Sequence, residues 1–191
     1  MTTPTIHNKF KLNGKSFTSV GELLSYSEAI NSEMYTFFKV WFNRLDFIEV
    51  ATSGSTGKPK QIKLSKKAMQ NSALATANFF NIFSETKALL CMPIKYIAGK
   101  MMLVRALELG WHLDVVEPKS NPLESSNKEY DFSAMIPLQV QSSIKQLNQI
   151  KMLIIGGGAI SEELLKTLQH TDCECFATYG MTETATHIAV K

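Results

Sequence analysis

Cysteine is scarce in this chain, with three in 191 residues, at positions 91, 173 and 175. An odd number excludes a fully paired disulfide framework and points to a reducing compartment. Cys173-Glu174-Cys175 has no second pair at zinc-ligand spacing, so its thiols read as same-face positions of a strand, packed in the core. Long apolar runs are also lacking: no segment approaches the ~20 residues that a membrane span needs. Residues 1–7 do not have the basic and then apolar layout of a secretory leader. A cytoplasmic location is the expectation, with no membrane partner. Blocks of basic charge are missing too. The net charge is only +3, the lysines are scattered, and Ser65-Lys66-Lys67 reads as the exposed start of a helix. Nucleic-acid binding is therefore not suggested. Internal repeats and low-complexity tracts are absent. What remains is ordinary globular composition, 45% hydrophobic and 19% charged, with length for one large domain or two small ones.

The most informative feature present is Thr52-Ser53-Gly54-Ser55-Thr56-Gly57-Lys58-Pro59-Lys60, which follows the apolar run Phe47-Ile48-Glu49-Val50-Ala51. Glycines let backbone N–H groups converge on an anion, hydroxyls donate further hydrogen bonds, and lysines add charge. The spacing is not that of a Walker loop. Gly54 and Gly57 are separated by only two residues, and Lys58 is followed by proline instead of Ser/Thr and a helix. The next residues, Lys60-Gln61-Ile62-Lys63-Leu64, alternate polar and apolar and so predict a strand. The segment is expected to join two strands as a hairpin-like polyphosphate cradle. A solvated Ser/Gly/Lys linker is the alternative.

Periodicity and punctuation predict α/β architecture, a mainly parallel sheet covered by helices. Amphipathic helices are expected over 20–29 and 32–42, with Phe37, Phe38, Trp41 and Phe42 as packing anchors. Ser65 should cap a helix running to about residue 80. Strands are predicted over 87–91, 111–116, 131–136, 151–155 and 173–178. Between them lie helices over 99–109, ended by Gly110, over 137–147, with Pro137 in its first turn, and one capped by Ser161. In such sheets ligands bind outside the carboxyl ends of the strands. Three segments should leave the sheet there: Met92-Pro93-Ile94-Lys95-Tyr96, Gly156-Gly157-Gly158, and Tyr179-Gly180-Met181-Thr182-Glu183.

Gly156-Gly157-Gly158-Ala159 follows a strand and precedes a helix, but Ser161 stands where a dinucleotide fingerprint would have its third glycine. It is either a tight turn or a ligand-contacting loop. Tyr179-Gly180-Met181-Thr182-Glu183-Thr184 offers an aromatic face for a nucleobase, a hydroxyl for a phosphate and a carboxylate for Mg²⁺. Alone it could equally be a helix start with exposed Thr and Glu.

Taken in order, these motifs resemble the adenylate-forming superfamily of acyl-CoA synthetases, luciferases and peptide-synthetase adenylation domains. The cradle is similar to that family's Thr-Ser-Gly-Ser/Thr-Thr-Gly-x-Pro-Lys pattern, and residues 179–183 to its Tyr-Gly-x-Thr-Glu pattern. The likeness covers roughly residues 47–189. Within the family the chain looks most like the o-succinylbenzoate–CoA ligases of menaquinone biosynthesis. Residues 90–99 resemble a Pro-Leu-x-His-x-x-Gly stretch. Gln61 departs from the glycine usual after the loop lysine, and Tyr96 stands where histidine is common.

The resemblance implies an ATP-dependent acid–thiol ligase that uses Mg²⁺ and takes coenzyme A as co-substrate. It gives the β/γ-phosphates to Thr52, Ser53, Gly54, Ser55, Thr56, Gly57 and Lys60, and the α-phosphate to Thr182. Glu183 would hold the metal, and Tyr179 would stack on adenine beside Gly157 and Gly158. Tyr96, Lys100 and Gly156 would face the acyl substrate, with Arg105 a poorer anchor for its second carboxylate. Thr182, Glu183 and Lys60 form the catalytic set. Residues 1–191 would then be an incomplete N-terminal adenylation-type domain without the C-terminal lid, expected not to turn over alone, with a homo-oligomer formed through exposed apolar surface as an open alternative. Other acyl-CoA ligases, amino-acid adenylation domains and a non-catalytic nucleotide-binding fragment stand as alternatives.

Overall fold

The computed structural model describes residues 4–51, 60–185 and 187–191. It opens on two short strands, β1 (Lys11–Leu12) and β2 (Lys15–Ser16), where only helices were expected. Their turn is Asn13-Gly14, with φ of 48° and 80°. Two successive positive φ values suit a tight hairpin turn, and Asn-Gly is the pair that adopts them most readily. That dipeptide was the signal for the hairpin.

Helices α1 (Val20–Ile30) and α2 (Ser32–Trp41) follow. Ser19 Oγ accepts from Glu22 N, and Asn31 Oδ1 accepts from Met34 N at 2.9 Å, so each first turn has one of its orphan donors satisfied. Phe37, Phe38 and Trp41 are buried, as their spacing predicted. Strands β3 (Phe47–Ala51) and β4 (Gln61–Ser65) form a separate antiparallel pair that brings Ala51 opposite Gln61. These two strands are the paired arms on either side of the 52–60 segment. Helix α3 (Lys66–Phe80) starts where Ser65 Oγ accepts from Ala68 N at 3.4 Å.

The remaining elements are β5 (Lys87–Leu90), α4 (Ile97–Leu109), β6 (His112–Val115), β7 (Tyr130–Met135), α5 (Pro137–Ser142), β8 (Ile150–Ile155), α6 (Glu162–Leu168), β9 (Glu174–Gly180) and β10 (His187–Val190). Gly110 ends α4 in the left-handed region with φ 71°. Helix α5 is shorter than expected. Its C-terminal residue is followed by buried Ser143, whose Oγ donates to Asn121 Oδ1 at 2.9 Å. The backbone then tightens into a 3-10 turn over Ile144–Gln149. Strand β10 was not anticipated from the sequence.

Eight strands form one sheet in the order β10-β9-β8-β7-β5-β6-β1-β2. All neighbours from β9 to β1 pair in parallel, while β10 and β2 are antiparallel edges. Successive residues point to opposite faces, and the core divides accordingly. Ala88, Leu90, Ile154 and Phe176 pack with α1–α4. Leu89, Cys91, Leu153, Ile155 and Cys175 pack with α5 and α6. Covering both faces explains why β5 and β8 read as nearly continuous apolar runs. Cys173 and Cys175 both join the α6-side cluster, the same-face placement their spacing implied.

Candidate nucleotide site

Parallel pairing sends β5, β7, β8 and β9 out of the sheet at one edge, where Leu90 lies beside Ala134, Met135 beside Ile155, and Ile155 beside Ala177. The segments at 92–96, 156–158 and 179–183 consequently share that edge. At ~4.8 Å per strand the β9 and β5 ends stand roughly 14 Å apart. One elongated ligand can bridge them.

The glycine loop sits directly against β9. Thr178 Oγ1 donates to Ile155 O at 3.1 Å, and Gly156 N donates to Met135 O at 3.1 Å. A Cβ on Gly156 would lie 2.8 Å from Thr178 Oγ1, so any other residue here would displace that hydroxyl from its bond to Ile155 O. Gly157 has φ 77°, and a Cβ there would meet Ile136 Cγ2 at 3.3 Å. Gly157 and Gly158 are exposed and Gly156 is half-buried, which leaves the loop's backbone open to a ligand.

Tyr179 and Gly180 still belong to β9, paired with Ala189 and His187 of β10. The Tyr179 ring is 60% exposed, available for stacking on the solvent side. Thr182, Glu183 and Thr184 form a 3-10 turn. Thr184 Oγ1 accepts from Met181 N at 3.1 Å and donates to Met181 O at 2.9 Å, closing the turn and leaving half-buried Thr182 and exposed Glu183 facing outward. A single exposed carboxylate is a hard oxygen ligand suited to Mg²⁺ shared with phosphate oxygens and water. No group of three His, Cys, Asp or Glu side chains converges for a metal among the described residues.

Thr52, Ser53, Gly54, Ser55, Thr56 and Gly57 lie outside the described residues. Lys60 is exposed at the entry to β4. On the β5 side, Tyr96 is 45% exposed and occupies the N-cap of α4, with Lys95 Nζ 5.0 Å from its ring centroid. Lys100 was expected to offer its ammonium to a substrate. Its Nζ instead donates to Ile94 O at 2.8 Å and Lys95 O at 2.6 Å, two of the three bonds an ammonium can make. Arg105 is only 2% exposed, with Nε donating to Thr76 Oγ1 at 3.2 Å, and burial pulls its guanidinium down to about 10. It faces the interior, not the edge.

Gln139 escaped the sequence reading. Its buried Nε2 donates to Cys91 O at 2.8 Å and Lys119 O at 3.0 Å, while its Oε1 accepts from Ile136 N at 3.3 Å. It thereby ties the exit of β5 to Ile136, which abuts Gly157. A glutamine three residues beyond a strand end, at N3 of a Pro-led helix, was the available cue.

A family model described as AMP-binding enzyme matches residues 50–191. The chain belongs to the AMP-binding enzyme family. The chain is 28% identical over 142 residues to the 2-succinylbenzoate–CoA ligase of Escherichia coli K12, covering 73% of itself and 31% of that ligase. Among solved structures it is similar to a Dyadobacter fermentans protein described as acyl-CoA synthetase (AMP-forming)/AMP-acid ligase II-like. The identity is 34% and the TM-score 0.80, covering 89% of this chain and 52% of that one. It is also similar to an E. coli MenE variant with bound OSB-AMS, at 26% identity and TM-score 0.64, over 75% of this chain and 32% of the other. The chain thus spans under a third of the length of the E. coli ligase. No helix among the described residues is long and apolar enough to cross a membrane.

Proposed function

We propose that this chain carries the nucleotide-binding part of an ATP-dependent acid–CoA ligase whose acid is o-succinylbenzoate, in menaquinone biosynthesis. Residues 1–191 then belong to an N-terminal adenylation-type domain working in the cytoplasm. The reading is supported above all by the shared edge, where the glycine loop lies flush against Thr178, the residue before Tyr179. The name of the E. coli relative, 2-succinylbenzoate–CoA ligase, supports the choice of acid.

In the first half-reaction a carboxylate oxygen attacks the α-phosphorus of ATP, forming the acyl-adenylate and releasing pyrophosphate. In the second, the CoA thiol attacks the acyl carbonyl and AMP departs with its phosphate. The first step joins two anions, so positioning and charge neutralisation carry the catalysis. Thr52, Ser53, Gly54, Ser55, Thr56, Gly57 and Lys60 hold the β- and γ-phosphates. The Thr182 hydroxyl bonds the α-phosphate, and Tyr179 stacks on adenine beside Gly157 and Gly158. Glu183 is the carboxylate for Mg²⁺, which when bound supplies neutralising charge to the phosphates. Tyr96 and Gly156 face the acyl group, with Lys100 beside Tyr96.

The test is Mg²⁺-ATP binding to this chain by calorimetry, together with o-succinylbenzoate-dependent exchange of pyrophosphate into ATP, read with the C-terminal part of the E. coli ligase joined to this chain. Glu183→Ala should lower exchange ~10²-fold or more, the scale of losing one oriented charge-stabilising group. Near-normal exchange in that variant refutes the metal role. A folded chain that binds no ATP refutes the nucleotide site.

A further inference from the structure

The backbone of Lys95 is gripped by two side chains from outside every motif that the sequence displays. Its approach begins at Pro93 and Ile94, the latter buried at 3% exposure as the loop's anchor. Tyr96 N donates to Pro93 O at 3.3 Å, and Lys100 N donates to Tyr96 O at 3.2 Å, so the turn runs directly into α4. Gly99 lets the first turn of α4 lie flush on that loop. A Cβ there would press on Pro93 O and stand 2.8 Å from the Pro93 carbonyl carbon.

Two charged side chains complete the grip. Glu33, in the first turn of α2, accepts from Lys95 N through Oε2 at 3.1 Å. Lys100 Nζ donates to the carbonyls of Ile94 and Lys95 at 2.8 and 2.6 Å. The Lys95 residue is therefore held at its N–H by a carboxylate and at its C=O by an ammonium, both charge-assisted and stronger than neutral bonds. Burial depresses the Lys100 ammonium below its usual range, and the Glu33 charge opposes that. The group has been drawn partly out of water to bind the loop, an arrangement that an exposed surface lysine does not need.

We propose that Glu33 and Lys100 are positioning residues that clasp the backbone of Lys95 on both sides of its Cα and so set the Tyr96 side chain at the acyl end of the site. The clasp rests on the acid–CoA ligase reading for its purpose, not for its existence. Lys100 acts on the acid through the loop and not by contact with it. Any acid that packs against Tyr96 should feel the clasp equally, whether or not it carries a second carboxylate.

The experiment has two arms. Amide hydrogen exchange in the ligand-free chain reads the clasp alone. Lys100→Met and Glu33→Ala should each speed exchange at Lys95 and Tyr96 ~10-fold, and Lys100→Arg should restore most of the protection because it keeps charge and donors. Calorimetry then reads its purpose, using AMP and two acyl-sulfamoyl adenosines, one from o-succinylbenzoate and one from benzoate. Lys100→Met should weaken both acyl ligands ~10-fold while AMP stays within ~2-fold, with recovery in Lys100→Arg. Unchanged exchange at 95 and 96 overturns the clasp. A loss confined to the diacid analogue also overturns it, since that outcome makes Lys100 a direct carboxylate anchor. If the unmodified chain binds none of the three ligands, the ligase reading fails, and the exchange arm still decides the clasp.

Discussion

Replacing Gly99 by alanine should destabilise the chain, whereas the same change at Gly21 should stabilise it. Both glycines lie in the first turn of a helix, α4 and α1, and neither has positive φ. Intrinsic propensity favours alanine at both by at most ~1 kcal/mol, less so near helix starts. The surroundings differ. At Gly21 the nearest atom to an added Cβ is Ser19 Oγ at 3.9 Å, ordinary contact. At Gly99 the Cβ would press on Pro93 O and lie 2.8 and 2.9 Å from Pro93 C and Ile94 Cα. These are backbone atoms, and Ile94 is anchored in the core, so they cannot swing aside as a side chain would. Overpacking of this kind costs ~1–3 kcal/mol. The net expectation is ~1–2 kcal/mol lost at Gly99 and a few tenths gained at Gly21. Urea unfolding followed by far-UV circular dichroism measures both. With a slope of ~2 kcal/mol per molar, Gly99→Ala should lower the midpoint by ~0.5–1 M at unchanged slope. A midpoint equal to or above that of Gly21→Ala would refute the close approach of α4 to the 92–96 loop.

Two further predictions concern the ends of α4 and the β10 edge. Gly110→Ala should cost ~1–2 kcal/mol, because Gly110 has φ 71° and a Cβ would lie 2.6 Å from His7 Cε1; Gly110→Asn should recover part of this in thermal melts, since asparagine tolerates that conformation. His187 should make stability fall as pH drops from 6.5 towards 4. Burial, with the Arg105 charge adding to it, holds its imidazole at about 4 against an ordinary 6.5. The unfolded chain therefore takes up the proton first. Fully expressed, that gap is worth ~3 kcal/mol, reduced to ~1–2 kcal/mol because the ring is partly open to solvent. Urea midpoints at pH 7.5 and 4.5 should differ less in His187→Gln than in the unmodified chain; an identical difference would show that His187 does not titrate there.

What could be read from sequence was what neighbours along the chain control. Ser65, Ser161 and Gly110 cap helices through contacts within four residues, so their roles are visible in a short window. The apolar runs of β5 and β8 announced strands buried on both faces, and the family motifs placed the candidate site at a strand-end edge. Asn13-Gly14 was as local a signal as these, yet its strands are only two residues long and offer no periodicity to detect. The break after α5 was invisible because it depends on Asn121, 22 residues upstream of Ser143.

The chain's sequence by itself therefore determined its α/β class and its AMP-binding family membership, together with the residues proposed to meet a nucleotide. Both rest on local chemistry, the spacing of apolar positions and the order of a few motifs. Only the tertiary structure decided the strand order, which puts β1 beside β6 and leaves β10 at an edge. It also decided that Arg105 faces the interior, that Gln139 bridges two strand exits, and that Lys100 turns back onto the loop before it. Those outcomes depend on which buried polar groups need partners once water is excluded, and a hydrogen bond to a carbonyl leaves no mark on the sequence around the donor.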